Sequence, residues 1–158
     1  MAETASSARE RDDAGFVYFP ESRLAAWLFG STQAALLWLV VRVYLGYEWI
    51  SAGWPKLFGA QRDAWTGDGS AVLGYLQFAT TDLAQGDHPA LAYGWWRGFL
   101  EWVIDSGAYE TVAWAVAIGE VTVGVALILG MFTGIFAFAG VLLNFTFMFS
   151  GSAGVNPL

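Results

Sequence analysis

The sequence contains no cysteine among its 158 residues. Without thiols, the chain cannot form a disulfide, hold an iron–sulfur cluster, attach a c-type haem or carry a persulfide. Histidine occurs only once, at His88. The chain alone therefore cannot supply two axial ligands to a b-type haem, or a zinc site built from several His and Cys side chains. We expect no metal or cofactor of its own and place any redox centre in partner subunits.

Charged residues are also scarce, at 13% of the sequence, with 7 Lys and Arg against 14 Asp and Glu. The net charge of −7 argues against nucleic acid as a partner and against docking on anionic head groups, because both use clusters of basic residues. The N-terminal stretch MAETASSARERDDAGF has no apolar run followed by a small-residue cleavage site, so no signal peptide is predicted. We predict that residues 1–33 are a polar tail followed by a short interfacial segment, with residues 21–29 either an interfacial helix or a plain linker.

What the sequence does contain is apolar, at 56% hydrophobic and 17% aromatic residues. A hydrocarbon core about 30 Å thick is crossed by a helix of about 20 mostly apolar residues. Three segments have this character, at about residues 34–53, 110–130 and 132–150. We therefore predict an all-α membrane protein in which residues 34–158 form an antiparallel bundle of three transmembrane helices.

The first span is predicted to end at Gly53, because Pro55 biases the preceding residue, Trp54, out of the helical region. Trp54 suits the head-group layer, and the Lys56 ammonium can reach water on its flexible stem. We therefore predict that Trp54 and Lys56 are interface anchors that mark the membrane surface.

The long loop between the first two spans is predicted to contain two amphipathic helices. Ser70 can cap the first, and apolar residues at helical spacing extend it to about residue 85. The second covers about residues 89–105 and carries a broad aromatic face. We predict that both lie on the membrane or cap the bundle, with Trp95, Trp96 and Trp102 as interface anchors. Packing of a cap onto the spans is the favoured reason for the aromatic face, and lining of a ligand entrance is the alternative.

Small residues recur along the second and third spans at intervals that let helix backbones approach closely in lipid. Each of these stripes also carries one polar group, Glu120 in the second span and Asn144 in the third. The small residues predicted to form the helix-packing seams are Ala113, Ala117, Gly124 and Gly140.

Two charges of the first span, Arg42 and Glu48, are six residues apart and thus about 120° apart around a helix, so they cannot pair with each other. Arg42 and Glu120 each lie near the middle of a predicted span. Because an unpaired charge there costs at least about 2.5–3.5 kcal/mol, we predict an Arg42–Glu120 ion pair. Glu48 is predicted to lie near Asn144, with Tyr44 or Ser51 close to it.

Two interpretations of these polar groups remain open. They form a pocket that hydrogen-bonds a quinone head group or carries a proton towards it, or they fix the helix register without touching a ligand. For Glu48 the first is favoured, because the spans offer it no equally charged partner. The candidate pocket residues are Arg42, Tyr44, Glu48, Glu120 and Asn144.

Two stretches carry a family resemblance. RVYLGYEWISAGWPKL resembles the first-helix signature of DoxX/DoxD-like membrane proteins, with matching residues at Arg42, Gly46, Gly53 and Lys56. IGEVTVGVALILGMFTGIFA is similar to the second signature of that family, with matching residues at Glu120, Gly124, Gly130, Phe132 and Thr133. The resemblance covers roughly residues 34–158 and adds Gly46 and Gly53 to the helix-packing residues.

The resemblance implies a four-helix membrane bundle with cytoplasmic termini in bacteria or archaea. The last helix has no counterpart before Leu158, so we expect either a missing helix or one supplied by a neighbour. Family members include membrane subunits of thiosulfate:quinone oxidoreductase, and others associate with superoxide dismutase and sulfurtransferase in membrane redox assemblies.

We therefore expect a multi-pass protein of the bacterial or archaeal inner membrane, with a cytoplasmic N-terminus, that contacts lipids and other membrane subunits. The expected function is an accessory subunit that anchors or scaffolds a larger respiratory or redox complex. The alternative is a catalytic membrane subunit of the thiosulfate:quinone oxidoreductase type. In that case a quinone is bound at the intramembrane polar residues. A lipid is the other ligand considered.

Overall fold

The computed structural model describes residues 22–81 and 91–151, and all regular secondary structure in these residues is helical. This confirms the prediction of an all-α protein. By length and composition, two of the helices are long and apolar enough to cross a membrane, and a third is apolar but shorter. The helices are α1 (Arg23–Gly30), α2 (Thr32–Leu57), α3 (Ser70–Thr80), α4 (Gly94–Asp105), α5 (Tyr109–Leu129) and α6 (Thr133–Phe149), with a short π-helix at Asp63–Gly67. The two candidate spans are α2 and α5, and the shorter helix is α6.

Contacts divide the chain into two units, with the division inside α2 between Val40 and Val41. In the first unit, residues 23–30 form a helix rather than a plain linker. The indole N–H of Trp38 donates to the carbonyl oxygen of Leu28 at 2.9 Å, and its ring stacks on Phe29 with centroids 6.3 Å apart. These contacts hold α1 beside the first turns of α2. The polar tail, His88 and residues 152–158 lie outside the described residues.

In the second unit, α5 and α6 form an antiparallel hairpin. Gly130 ends α5 in the left-handed conformation, with φ 72°, which favours a residue without a Cβ atom. A Cβ atom added to Gly140 of α6 would lie 3.3 Å both from Val123 of α5 and from Trp49 of α2. At Gly140, side chains of α2 and α5 therefore meet the backbone of α6.

The end of α2 differs from the prediction, because the helix continues through Pro55 to Leu57. Proline lacks an N–H group and thus removes one helical hydrogen bond. So close to the helix end, the N–H groups of Phe58 and Gly59 still bond to the carbonyl oxygens of Trp54 and Pro55, at 2.9 and 3.1 Å. The prediction that Pro55 ends the helix at Gly53 is wrong.

The two loop helices are shorter than predicted. Helix α3 begins at Ser70, but the cap comes from Asp68, whose Oδ1 accepts the Ser70 N–H at 2.9 Å. It ends at Thr80 rather than near residue 85, because Thr81 is extended and its hydroxyl bonds back to the carbonyl of Phe78 at 2.7 Å. Helix α4 begins at Gly94, since Tyr93 is also extended, and residues 82–90 lie outside the described part.

These loop helices form a cap packed on one end of α5 and α6. Tyr75 of α3 donates its hydroxyl to the carbonyl oxygen of Ser150 at 2.7 Å, and burial raises the pKa of this hydroxyl. Trp96 of α4 donates its indole N–H to the Ser150 hydroxyl at 3.3 Å. The buried residues of this core are Val72, Leu76, Ala79, Leu91, Leu100, Val103 and Ala113.

Candidate functional site

The glycines of α2 and α5 bring these helices into backbone contact. A Cβ atom added to Gly46 would lie 2.8 Å from the carbonyl oxygen of Gly124, and one added to Gly124 would lie 2.6 Å from that of Gly46. A Cβ atom on Gly53 would lie 2.9 Å from the Cβ atom of Glu120. Small residues permit such approaches between membrane helices. The contacts make α2 antiparallel to α5 and place Gly53 beside Glu120.

Glu120 forms a buried ion pair with Lys56. The Nζ atom of Lys56 lies 2.7 Å from each carboxylate oxygen, and the Lys56 and Glu120 side chains are only 12% and 3% exposed. Glu120 lies near the middle of α5, about 15 Å from either helix end at 1.5 Å per residue. The ion pair therefore lies inside the protein, at the depth of the middle of α5.

The π-helix covers the lysine. The Lys56 Nζ atom lies 4.1 Å from the centroid of the Trp65 ring, close enough for the ring face to attract the cation. The hydroxyl of the buried Thr66 lies 3.2 Å from the carbonyl oxygens of Lys56 and of Arg62, and it can donate to either. One carboxylate and one ring face thus surround the ammonium group, and the chain itself neutralises the charge.

The prediction that Arg42 pairs with Glu120 is wrong. The Arg42 guanidinium lies against Gly130, where an added Cβ atom would be 2.6 Å from Nη1. Gly130 follows Glu120 by ten residues, about 15 Å along α5. At this C-terminal end of α5 the cation is favoured by the negative end of the helix dipole, while its buried Nε has no hydrogen-bond partner among the described residues.

The error in the pairing is an error in the register of the two helices. The prediction aligned the middle of a span ending at Gly53 with the middle of α5. The glycine contacts instead put the last turns of α2, which continues to Leu57, beside Glu120. This brings Lys56 to the carboxylate and moves Arg42 to the far end of α5.

Glu48 and Tyr44 lie together on the outer side of α2. The Tyr44 hydroxyl lies close enough to the Glu48 carboxylate to interact with it, and Tyr44 is 60% exposed. Each residue of a helix turns by about 100°, so Glu48 lies about 200° from Gly46, which contacts α5. Glu48 is half-buried, and this rotation places it on the side of α2 away from the seam with α5. Among the candidate pocket residues, only this pair is brought together.

Asn144 of α6 does not join that pair. The structure shows no hydrogen bond between Glu48 and Asn144, both of which lie in the described part of the chain. The side chain that crosses from α2 to α6 is Trp49, whose ring is 3.3 Å from a Cβ atom added to Gly140. An aromatic packing contact thus takes the place of the predicted polar one.

The predicted interface anchors divide into two groups. Trp54, Trp95 and Trp102 are exposed. Lys56 does not reach water as predicted, because its ammonium is held by Glu120, so its assignment as an interface anchor is wrong. Trp96 is turned inward to Ser150.

The sequence reasoning missed Trp65 and Thr66 altogether. Their role depends on the π-helix that follows α2, and no local sequence pattern indicates such a contact. A signal for Lys56 was present, since it follows Gly53 by three positions and therefore lies on nearly the same side of α2. A long side chain one helical turn from a close contact between two helices can reach the neighbouring helix.

Residues 22–81 and 91–151 contain no cluster of three or more His, Cys, Asp or Glu side chains that could hold a metal ion. An open groove between α3 and α4 includes none of the candidate pocket residues, and it is lined by Gln77, Thr80, Thr81, Glu101, Ile104 and Asp105.

Comparison with known proteins identifies one family. The DoxX family model matches residues 37–152, a range that contains both signatures quoted above, the Lys56–Glu120 ion pair and the cap helices. No curated protein and no solved structure gives a significant match. Because the family model covers more than half of the sequence, the chain belongs to the DoxX family of membrane proteins.

Proposed function

We propose that this protein is a membrane accessory subunit that anchors partner subunits of a larger respiratory or redox complex. The observation that carries the proposal is the outward position of Glu48 on α2. A carboxylate on the outer side of a spanning helix costs at least about 2.5–3.5 kcal/mol if it faces lipid alone. Tyr44 brings a hydroxyl near Glu48 but no positive charge, so a partner helix with a cationic or donor side chain would stabilise Glu48.

The buried ion pair supports the same proposal. Both oxygens of Glu120 are bound by Lys56, and Trp65 covers the ammonium group. The two side chains are only 12% and 3% exposed, so the pair is shielded from a ligand, and a buried pair of this kind can fix the register of two helices. We therefore assign it a structural role, which holds α2 in the rotation that turns Glu48 outward.

The redox part of the proposal comes from the family. The chain belongs to the DoxX family, and the resemblance set out above implies partners in membrane redox assemblies. Since the sequence has no Cys and a single His, the electron carriers are assigned to the partners. This chain supplies the membrane surface on which they assemble.

The test is purification of the tagged protein from its native membrane in mild detergent, followed by optical spectra and mass spectrometry of the subunits that accompany it. We expect stoichiometric haem-, flavin- or metal-bearing subunits with the natural sequence, and their loss with Glu48→Gln. Asp105→Asn, which removes an exposed carboxylate on α4, is the matched control and is expected to keep the partners. A chain that purifies alone with bound quinone would contradict the proposal.

A second candidate function is quinone binding at the same pair. The observation that favours it is that Tyr44 is 60% exposed on the outer side of α2, where a quinone in the lipid can reach both its hydroxyl and the Glu48 carboxylate. The test is to measure by mass spectrometry the quinone retained by reconstituted protein. Loss of retained quinone in both Glu48→Gln and Tyr44→Phe would favour this function, and equal amounts in all three proteins would eliminate it.

A further inference from the structure

We infer that α4 lies along the membrane–water interface, with an aromatic flank in lipid and an acidic flank in water. The inference concerns the contact of the cap with the bilayer, and it does not depend on the proposed anchoring role. It starts from the way in which α4 is fixed on the protein. Leu100 and Val103 are 4% and 2% exposed, and Trp96, on the same side, donates its indole N–H to Ser150. These three residues define the inner face and set the rotation of the helix.

The aromatic flank consists of Trp95, Phe99 and Trp102. They follow one another at i, i+4 and i+7, and they are 68%, 43% and 58% exposed. At about 100° per residue, this flank is centred roughly 100° from the inner face. The rings contact one another and the neighbouring Tyr93 and Trp96, but about half of each side chain stays exposed on this side of the helix.

The charged flank consists of Arg97, Glu101 and Asp105, at i, i+4 and i+8. Its centre is roughly 130° from the inner face in the opposite direction. Arg97 and Glu101 form an exposed ion pair at 2.9 Å, and Glu101 and Asp105 line the open groove beside α3. This flank has the composition of a surface in water.

The two flanks require two different environments. If both flanks faced water, three large aromatic rings would be exposed to water. If both faced hydrocarbon, three charged side chains would be buried in it. A helix lying in the plane of the interface satisfies both flanks at once, since Trp side chains are enriched at that level and amphipathic helices bury their apolar side there.

The aromatic flank is continuous with the outer surface of α6. The Tyr93 ring, just before α4, lies 5.8 Å from that of Phe149 in α6, and Phe149 stacks on Phe145 at 6.2 Å. Phe145 and Phe149 are 50% and 38% exposed. The same apolar surface thus runs from the side of the apolar helix α6 onto one flank of α4, which makes lipid, rather than a soluble protein, the matching partner.

The polar flank also sets the type of lipid contact. Most interfacial helices carry Lys and Arg that bind anionic head groups, whereas this flank has two acidic residues and one basic one, in a chain with a net charge of −7. The aromatic rings, and not charge attraction, therefore hold α4 at the interface. Its depth is expected to be the same in zwitterionic and anionic bilayers.

The absence of cysteine in the sequence makes the inference directly testable by site-directed spin labelling. Single cysteines are introduced in the full chain by Trp95→Cys and Trp102→Cys on the aromatic flank, and by Glu101→Cys and Asp105→Cys on the charged flank. The labelled proteins are reconstituted in phosphatidylcholine vesicles. Electron paramagnetic resonance then measures collisions of each label with oxygen, which concentrates in lipid, and with a water-soluble nickel chelate. Phe138→Cys, at a 63% exposed position of α6, is the lipid-facing control.

We expect the oxygen-to-nickel accessibility ratio at positions 95 and 102 to approach that of the control, and the ratio to reverse at positions 101 and 105. Adding phosphatidylglycerol is expected to leave all values unchanged. Nickel access at all four positions would overturn the inference by placing α4 in water. Oxygen access at all four would overturn it by placing α4 in the hydrocarbon. Labels at 95 and 102 that neither reagent reaches would show that protein covers this flank. A circular dichroism spectrum equal to that of the natural protein verifies that each variant folds.

Discussion

Lys56 at the end of α2 binds both carboxylate oxygens of Glu120 in the middle of α5, at 2.7 Å, although 64 positions separate them in the sequence. The contact joins the two helices next to Gly53, and the Lys56 ammonium neutralises the buried carboxylate within the apolar bundle. The two carboxylates of the candidate pocket therefore have different surroundings. Glu120 is satisfied inside the chain, whereas Glu48 is turned outward.

Breaking the buried pair should destabilise the fold strongly. Glu120→Gln leaves the Lys56 ammonium buried without a counter-charge, and we expect the free energy of unfolding in detergent to fall by about 3–5 kcal/mol. Lys56→Met is expected to have a similar effect. The double variant is expected to lose less than the sum of the two single losses, because no uncompensated charge remains.

The exposed pair Arg97–Glu101 is the control for that experiment, since it has comparable chemistry and an N–O distance of 2.9 Å but side chains 33% and 47% exposed. Glu101→Gln should change the unfolding free energy by about 0–1 kcal/mol. Equal effects of Glu120→Gln and Glu101→Gln would contradict the buried position of the Lys56–Glu120 pair.

The Trp65 ring should contribute to stability only while Lys56 is charged. Trp65→Leu removes a cation–π contact in a desolvated site, for which we expect a loss of about 2 kcal/mol beyond its packing. In a Lys56→Met background, Trp65→Leu should lower the free energy of unfolding by less. The difference between the two losses measures the coupling between Lys56 and Trp65. Thermal unfolding of the four proteins supplies these values. Identical costs in both backgrounds would show that Trp65 is only a packing residue.

The close contact of α2 with α5 predicts opposite effects for two glycine substitutions. Gly124→Ala places a Cβ atom 2.6 Å from the backbone oxygen of Gly46, so the helices must separate, at a cost of about 1–3 kcal/mol or more. Gly74→Ala in α3 meets no atom within 4 Å, and there the better helix former should stabilise the protein by about 0.5–1 kcal/mol. Unfolding midpoints of both variants test the register. A neutral Gly124→Ala would contradict the packing of these helices.

The start of α3 should depend on pH through Asp68. The hydroxyl and the N–H of Ser70 hydrogen-bond to its carboxylate, and they hold the pKa of Asp68 below its ordinary value. A group whose pKa is lowered on folding adds stability above the ordinary pKa, and this is lost as the pH falls through the lower, folded value. The loss of this stability therefore begins below about pH 4.

Carbon-13 NMR of the Asp68 carboxyl group measures this titration directly. Ser70→Ala removes the hydroxyl and leaves the N–H, so we expect the pKa to move part of the way back towards the ordinary value. A carboxyl group that titrates at the ordinary value in the natural protein would show that it does not cap α3.

Much of this site can be read from the sequence, but the pairing cannot. The spacing of Gly124 and Glu120 indicates the seam of α5, because side chains at helical intervals share a face. The partner of Glu120 depends on the register of α2 against α5, which no local pattern gives. It also requires the helix to continue through Pro55 to Lys56, and Pro55 is a weak signal within the last turn of a helix, where it costs only one hydrogen bond. The ring of Trp65 is placed by the return of the chain through a π-helix, a tertiary feature without a local pattern.

The central claim is that Glu48 on the outer side of α2 contacts partner subunits, and native mass spectrometry of the complex released from its own membrane tests this most directly. The account predicts a mass that includes other subunits for the natural protein, and a fall in that bound fraction for Glu48→Gln but not for Asp105→Asn. A chain found alone, or only with copies of itself, in all three samples would contradict the claim.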